Sequence, residues 1–226
     1  MKHLFKPLEP QNFDWLNPPV QPGLPVCEMP LVMATAESLG GFGEIVTDPY
    51  KHDVEIVTWP SQGWRPLDQG SGNQGGHADG IFRFWWEGEH LYGENQAVGD
   101  KYLLGWTKDP AEASAQTDSP ERSQLLIWHA NYHPDGAQLF YPLDGAPFIA
   151  ALAKPGDDMT PKDWVAFYFD GSVGVCIHPG VWHEAIIPLT DTARFYDKQG
   201  KVHGRVGCDF NKEFGVFLSV PLRKPE

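Results

Sequence analysis

From residue 124 onward the chain is cut into short apolar runs by closely spaced turn signals, and this punctuation limits its fold more than any other feature. Leu125 to Tyr132, Ala137 to Pro142, Phe148 to Ala153, Trp164 to Phe169 and Val173 to His178 are the runs. Between them lie Pro134-Asp135-Gly136, Asp144-Gly145-Ala146-Pro147, Pro155-Gly156-Asp157-Asp158 and Asp170-Gly171. Segments this short and this rich in aromatic and branched residues suit strands, and Gly, Pro, Asn and Asp supply the backbone angles of tight turns. A meander follows, with Val181 to Pro188 returning across it and Gly215 to Val220 closing the sheet. The 226 residues include 24 Gly and 21 Pro with few long 3.6-period segments. The expectation is a mainly β chain with a few short helices, forming one domain over 1–226.

The first 33 residues carry Pro7, Pro10, Pro18, Pro19, Pro22, Pro25 and Pro30, too many for a helix or a central strand. They read as an extended Pro-rich arm without chemistry, and 34–226 as the barrel. Thr35 as a cap and Glu37 in a first turn predict a short helix, ended by Gly40 and Gly41 before a strand from Glu44 to Thr47. The Gly-rich run from Gly70 to Gly80 lacks the Gly-Lys-Ser/Thr of a phosphate loop and reads as a flexible loop. Ile81 to His90 alternates as a strand, with Phe82 and Phe84 on one face and Arg83 and Trp85 on the other. Tyr102 to Trp106 is a further strand, followed by a polar loop.

A formal net charge of -13, with Lys and Arg nowhere gathered into a patch, excludes nucleic acid and an anionic membrane surface as main partners. Three cysteines without C-x-x-C spacing suggest neither a disulfide framework nor a thiolate zinc site. No apolar run is long enough for a signal peptide or a membrane span, so a cytoplasmic location is expected.

Polar residues interrupt the apolar strands at Asn131, His133, Gln138 and, some forty residues later, His183. Gly180 and His183 form the Gly-x-x-His of a returning strand. This spacing resembles the two motifs of a cupin barrel, whose fold is a double-stranded β-helix. Alternate strand positions share a face, so Asn131 and His133 point inward, where Gln138 and His183 can join them. Four inward polar groups must satisfy one another, hold a metal or face a ligand. As cupin ligand positions they include only two strong donors, which suits a loosely held Ni, Mn or Zn ion, or none. His129 shares the face of His133 and would supply a third imidazole. His178 reads as surface or rim.

Three stretches resemble the ureidoglycolate lyase family, formerly called ureidoglycolate hydrolases. They are Glu37 to Ile45, His133 to Gly145, and Ala166 to His183. Asn73-Gln74-Gly75 and Ala153-Lys154-Pro155-Gly156-Asp157-Asp158 are similar to further family segments. Two positions depart from the family pattern: Asn131 stands for the usual Glu and Ile177 for the usual Tyr. The resemblance implies a homodimeric enzyme of allantoin and purine breakdown, cleaving a C–N bond of ureidoglycolate or a similar small polar carboxylate. Such chemistry needs a base for the hydroxyl proton, an acid for the leaving nitrogen and a cation for the carboxylate. His133 and His183 are the acid–base candidates, against the alternative of core histidines bonded to backbone carbonyls. Gln138 would orient them or meet the ureido group. Arg83 is the carboxylate clamp, Lys101 a weaker one, and Asn131 and Trp182 complete the substrate pocket. Two other readings stand beside this one: a metal-dependent cupin isomerase or oxygenase, and a non-catalytic small-molecule or sugar-binding cupin using its 9 Trp as stacking surfaces.

Overall fold

The computed structural model describes residues 14–58, 60–72 and 74–226. The first thirteen residues of the expected arm, and Asn73, lie outside the described residues. In chain order the strands are β1 (Val26–Glu28), β2 (Leu31–Met33), β3 (Gly43–Val46), β4 (Gln74–Glu87), β5 (His90–Asn95) and β6 (Asp100–Trp106). They continue as β7 (Gln124–Ile127), β8 (His129–Tyr132), β9 (Gln138–Pro142), β10 (Phe148–Ala153), β11 (Val165–Phe169) and β12 (Gly174–Ile177). The last are β13 (Trp182–His183), β14 (Ile187–Pro188), β15 (Thr192–Val202), β16 (Val206–Asp209) and β17 (Phe217–Pro221), with the short helix α1 (Phe210–Phe214) before β17 and a 3-10 turn at Pro161–Asp163 before β11.

Two curled sheets face each other in a cupin-like half-barrel. One has the order β1-β17-β7-β6-β5-β4-β15-β9-β12-β3, the other β16-β8-β13-β10-β11-β2 with β14 also on β10. Strand alternation explains the core between them. Phe82 and Phe84, two apart on β4, share a face and stack with centroids 4.4 Å apart, while Phe148 and Phe169, paired across β10 and β11, stack at 4.5 Å. Phe195 meets Phe84 and Phe148 edge-on, and Trp164 is fully buried against Phe210. Each such ring pair adds about 0.5–1.5 kcal/mol beyond the area it buries.

Several sequence expectations are corrected. The segment from Thr35 to Phe42 forms turns instead of a helix: the Leu39 and Gly43 amides donate one helical turn back, but Gly41 at φ 84° leaves the helical region. The Gly-rich run is a loop only at its start. From Gln74 it belongs to the long β4, which pairs with β15 from Gln74 to Trp85. The expected single strand Leu125 to Tyr132 breaks at Trp128, so that β7 joins the first sheet and β8 the second. The arm supplies edge strands: β1 lies parallel to β17 and β2 parallel to β11. β5, β15, β16 and α1 were not anticipated. Asp209 caps α1 by accepting from the Lys212 amide, and Gly215 ends it in the left-handed conformation.

Candidate active site

Between the sheets lies a recess of about 720 Å³, mouth included. The first sheet lines it with Asn95, Gln138 and Gln199, and the second with His129, Asn131 and His183. The segment just before β16 contributes His203 and Arg205, and the turn after β8 contributes His133. Asn131, His133, Gln138 and His183 thus come together as the strand spacing predicts. Gly207, opposite Asn131, keeps the space open: a side-chain carbon there would sit 3.1 Å from His129 Nε2.

His133 is fixed by its backbone surroundings. Its Nδ1 lies 2.9 Å from the Gly204 carbonyl, an acceptor, so Nδ1 carries the hydrogen and Nε2 the lone pair. The Gly204 amide in turn donates to both Asp135 carboxylate oxygens, at 2.7 and 2.8 Å. His203 stacks on His133 with centroids 3.5 Å apart and planes 10° apart, and His183 meets it edge-on at 5.0 Å. Burial, with the His203 and His183 rings nearby, holds His133 well below the usual histidine range. His203 is pushed down to about 3 by burial and by His183 and Arg205, and burial also lowers His183. Three neutral imidazoles result at neutral pH.

His183 sits in a second network. Its Nδ1 faces the Val181 carbonyl at 2.8 Å and its Nε2 faces Gln138 Oε1 at 3.2 Å. Gln138 Nε2 donates to Asp197 Oδ1 at 2.8 Å, and Asn95 Nδ2 donates to Asp197 Oδ2 at 3.1 Å. Asp197 is wholly buried, and that burial raises its carboxyl from the ordinary 3.8 to about 7 against the pull of the two amides.

Arg205 is the cation of the recess. Its Nε donates to Asp68 Oδ2 at 2.6 Å and its guanidinium lies 5.3 Å over the Trp15 ring. Trp15, from the arm, also meets His129 edge-on at 5.2 Å, so the arm reaches the recess after all. His129 is within 3.4 Å of Glu184, which lines the recess as well.

Three expected pocket residues lie elsewhere. Arg83 is exposed, because alternation on β4 turns Phe82 and Phe84 to the core and Arg83 to solvent. Lys101 is exposed on β6, its ammonium 5.1 Å over Trp85. Trp182 is core: fully buried, it packs edge-on against Tyr132 at 4.6 Å and donates to the Gly156 carbonyl at 2.8 Å. His178 is a partly exposed partner of Glu44 at 3.5 Å. His203, Arg205, Asp197, Gln199, Asn95 and Trp15 escaped sequence reading. The one usable signal was His203-Gly204-Arg205, whose alternate polar side chains precede an apolar strand.

The donor set does not fit a metal ion. The near-parallel rings of His133 and His203 send their in-plane lone pairs along parallel planes, and a common ion requires them to converge. Both ends of the Gln138 amide are engaged, and Asn131 is a neutral oxygen donor. Among the described residues no group of three His, Cys, Asp or Glu side chains is placed to hold a metal.

A family model described as ureidoglycolate lyase matches residues 108–210, the segment from before β7 to the start of α1 that holds His133, Gln138, His183, Asp197, Gln199, His203 and Arg205. A ureidoglycolate lyase of Azotobacter vinelandii is 41% identical over 130 residues, 51% of this chain and 76% of that protein. Ureidoglycolate lyase 2 of Rhizobium meliloti is 36% identical over 92 residues, 40% of this chain and 53% of its own length. A ureidoglycolate lyase of Pseudomonas aeruginosa is 42% identical over 77 residues, 34% of this chain and 43% of its own. This chain belongs to the ureidoglycolate lyase family.

Proposed function

We propose that the chain cleaves ureidoglycolate to glyoxylate and urea, with His133 carrying the proton. The observation that supports this best is the His133 tautomer: a buried, neutral ring whose Nδ1 hydrogen is committed to Gly204 and whose Nε2 lone pair remains available. In this reading Nε2 takes the hydroxyl proton of the substrate as its C=O forms. The C–N bonding pair passes to nitrogen, which receives the same proton back from the imidazolium as urea departs. Arg205 holds the substrate carboxylate. That carboxylate places negative charge beside His133 and raises its basicity at the moment it is needed.

Further support comes from the recess wall. Asn131 Oδ1, Gln199 Nε2 and His203 Nδ1 are buried polar atoms that find no hydrogen-bond partner among the described residues, on side chains that line the recess. Such atoms cost about 1–3 kcal/mol each, and a polar ligand or ordered water that let these side chains turn would relieve the cost. His183 has both ring nitrogens turned to protein acceptors, so it acts here as a neighbour of His133 and not as the second proton carrier.

The test is incubation with racemic ureidoglycolate while glyoxylate and urea are followed. Release of both in equal amounts above the spontaneous rate is expected, and no excess over that rate removes the proposal. We also propose a single-domain chain and a cytoplasmic location and, from the family resemblance, a homodimer and a place in allantoin breakdown. Sedimentation at several concentrations checks the dimer.

A further inference from the structure

Side-chain amides are two-faced, and the pair lining this recess has been given one face by a carboxylate behind it. Once ionised, as at pH 8, the Asp197 carboxylate can only accept, so the groups turned to it by Gln138 and Asn95 must be their NH₂ ends, at 2.8 and 3.1 Å. Their carbonyl oxygens then point away from Asp197. Gln138 Oε1 faces His183 Nε2 at 3.2 Å, and Asn95 Oδ1 takes a hydrogen bond from the Ala97 amide at 2.9 Å. A carbonyl oxygen has two lone pairs, so each retains acceptor capacity.

Resting on the proposed function, we infer that Asp197 is the specificity-determining positioning residue of this recess, holding Gln138 and Asn95 as acceptors for the N–H groups of a ureido ligand. It touches no substrate itself: it stands behind both amides, wholly buried on β15 between β4 and β9. With two amides committed as acceptors, a ligand end bearing N–H is favoured over one bearing a carboxylate, whose oxygens would meet oxygen. The same constraint reaches His183. Neutral His183 has one N–H, given by Nδ1 to the Val181 carbonyl at 2.8 Å, so Gln138 Oε1 faces the Nε2 lone pair; without the carboxylate, Gln138 can turn end for end and donate its NH₂ end to that nitrogen.

N-carbamoylglycine is the probe, because it has the ureido and carboxylate groups but no hydroxyl and cannot release urea. Glutarate, with a carboxylate at both ends, is its counterpart. Binding of each is measured by calorimetry at pH 8, above the value of about 7 to which burial raises Asp197. The wild type is expected to prefer N-carbamoylglycine, and Asp197→Asn to lower that preference about tenfold, the worth of one hydrogen bond to an amide. In ¹⁵N-histidine spectra His183 should carry its hydrogen on Nδ1 in both chains, and Asp197→Asn should shift the Nε2 resonance as that lone pair gains a hydrogen bond from the turned Gln138. An unchanged preference with an unchanged His183 spectrum overturns the inference. Should Asp197→Asn not fold, Gln138→Met must show the same loss of preference, and its retention overturns the inference equally. Absence of ureidoglycolate cleavage by the wild type would sink the proposed reaction and leave these binding and spectroscopic readouts to decide the role of Asp197.

Discussion

Replacing Asp197 by Asn gives the sharpest test of the buried network, through stability alone. Raising this carboxyl from its ordinary 3.8 to about 7 corresponds to about 4 kcal/mol. The sign follows from proton counts. Between pH 3.8 and 7 the folded chain keeps the Asp197 proton that the unfolded chain has released, so stability falls as pH rises through this window and levels off above it. Asp79, the nearby acid that adds to the shift, does not change the sign. His133, His183 and His203, held below the ordinary 6.5, act in the other direction: their contribution is complete above pH 6.5 and is lost as pH falls. Both chains share that histidine slope, and any fixed cost of the substitution is the same at every pH, so the difference between the two isolates Asp197. From pH 4 to pH 8 the urea-denaturation free energy of Asp197→Asn should gain about 4 kcal/mol on the wild type. By melting temperature, the relative gain is about 10 °C for a chain of this size. Two curves that run parallel across this range would refute the argument that burial, unrelieved by Gln138 and Asn95, governs this carboxyl.

Other outcomes follow from the site geometry. His133→Asn keeps a donor for the Gly204 carbonyl and removes Nε2; kcat for ureidoglycolate should fall by about 10² or more with the fold intact by circular dichroism. Arg205→Met should raise KM about tenfold or more, through loss of a charge-assisted hydrogen bond to the carboxylate, whereas Arg83→Met, on the solvent face of β4, should leave steady-state kinetics within about twofold. Trp15→Ala removes the ring under the Arg205 guanidinium, and KM should rise a few-fold with kcat little changed, in keeping with about 0.5–2 kcal/mol for such a contact.

The strands that build the core were legible because one of their faces is apolar and the turns between them are chemically marked. The motif histidines were legible for the same reason, as polar interruptions of an apolar pattern. β15 was not, since Thr-Ala-Arg-Phe-Tyr-Asp-Lys-Gln-Gly-Lys-Val has polar residues on both faces. Asp197 and Gln199 lie on the interior side, where the period-2 signal should be apolar. A strand that lines a polar recess hides its own alternation. Arg83 was mistaken for the clamp because a rigid strand suggested precision; the alternation that makes β4 a strand also sends its arginine outward. Arg205 lay in a segment without apolar period, and its position depends on tertiary bonds from Asp68 and Ser71 that local sequence does not announce.

The N-terminal segment clips the two halves of the molecule together through a very short tether. β1 is bonded to the edge of one sheet and β2 to the edge of the other, with only Met29 and Pro30 between them. Three residue steps reach at most about 11 Å, so those edges cannot part further unless one of the clipped strands peels away. The width available to a guest molecule is therefore governed in part by a dipeptide that never meets it. Lengthening that dipeptide would loosen the jaws while leaving every group inside them unaltered.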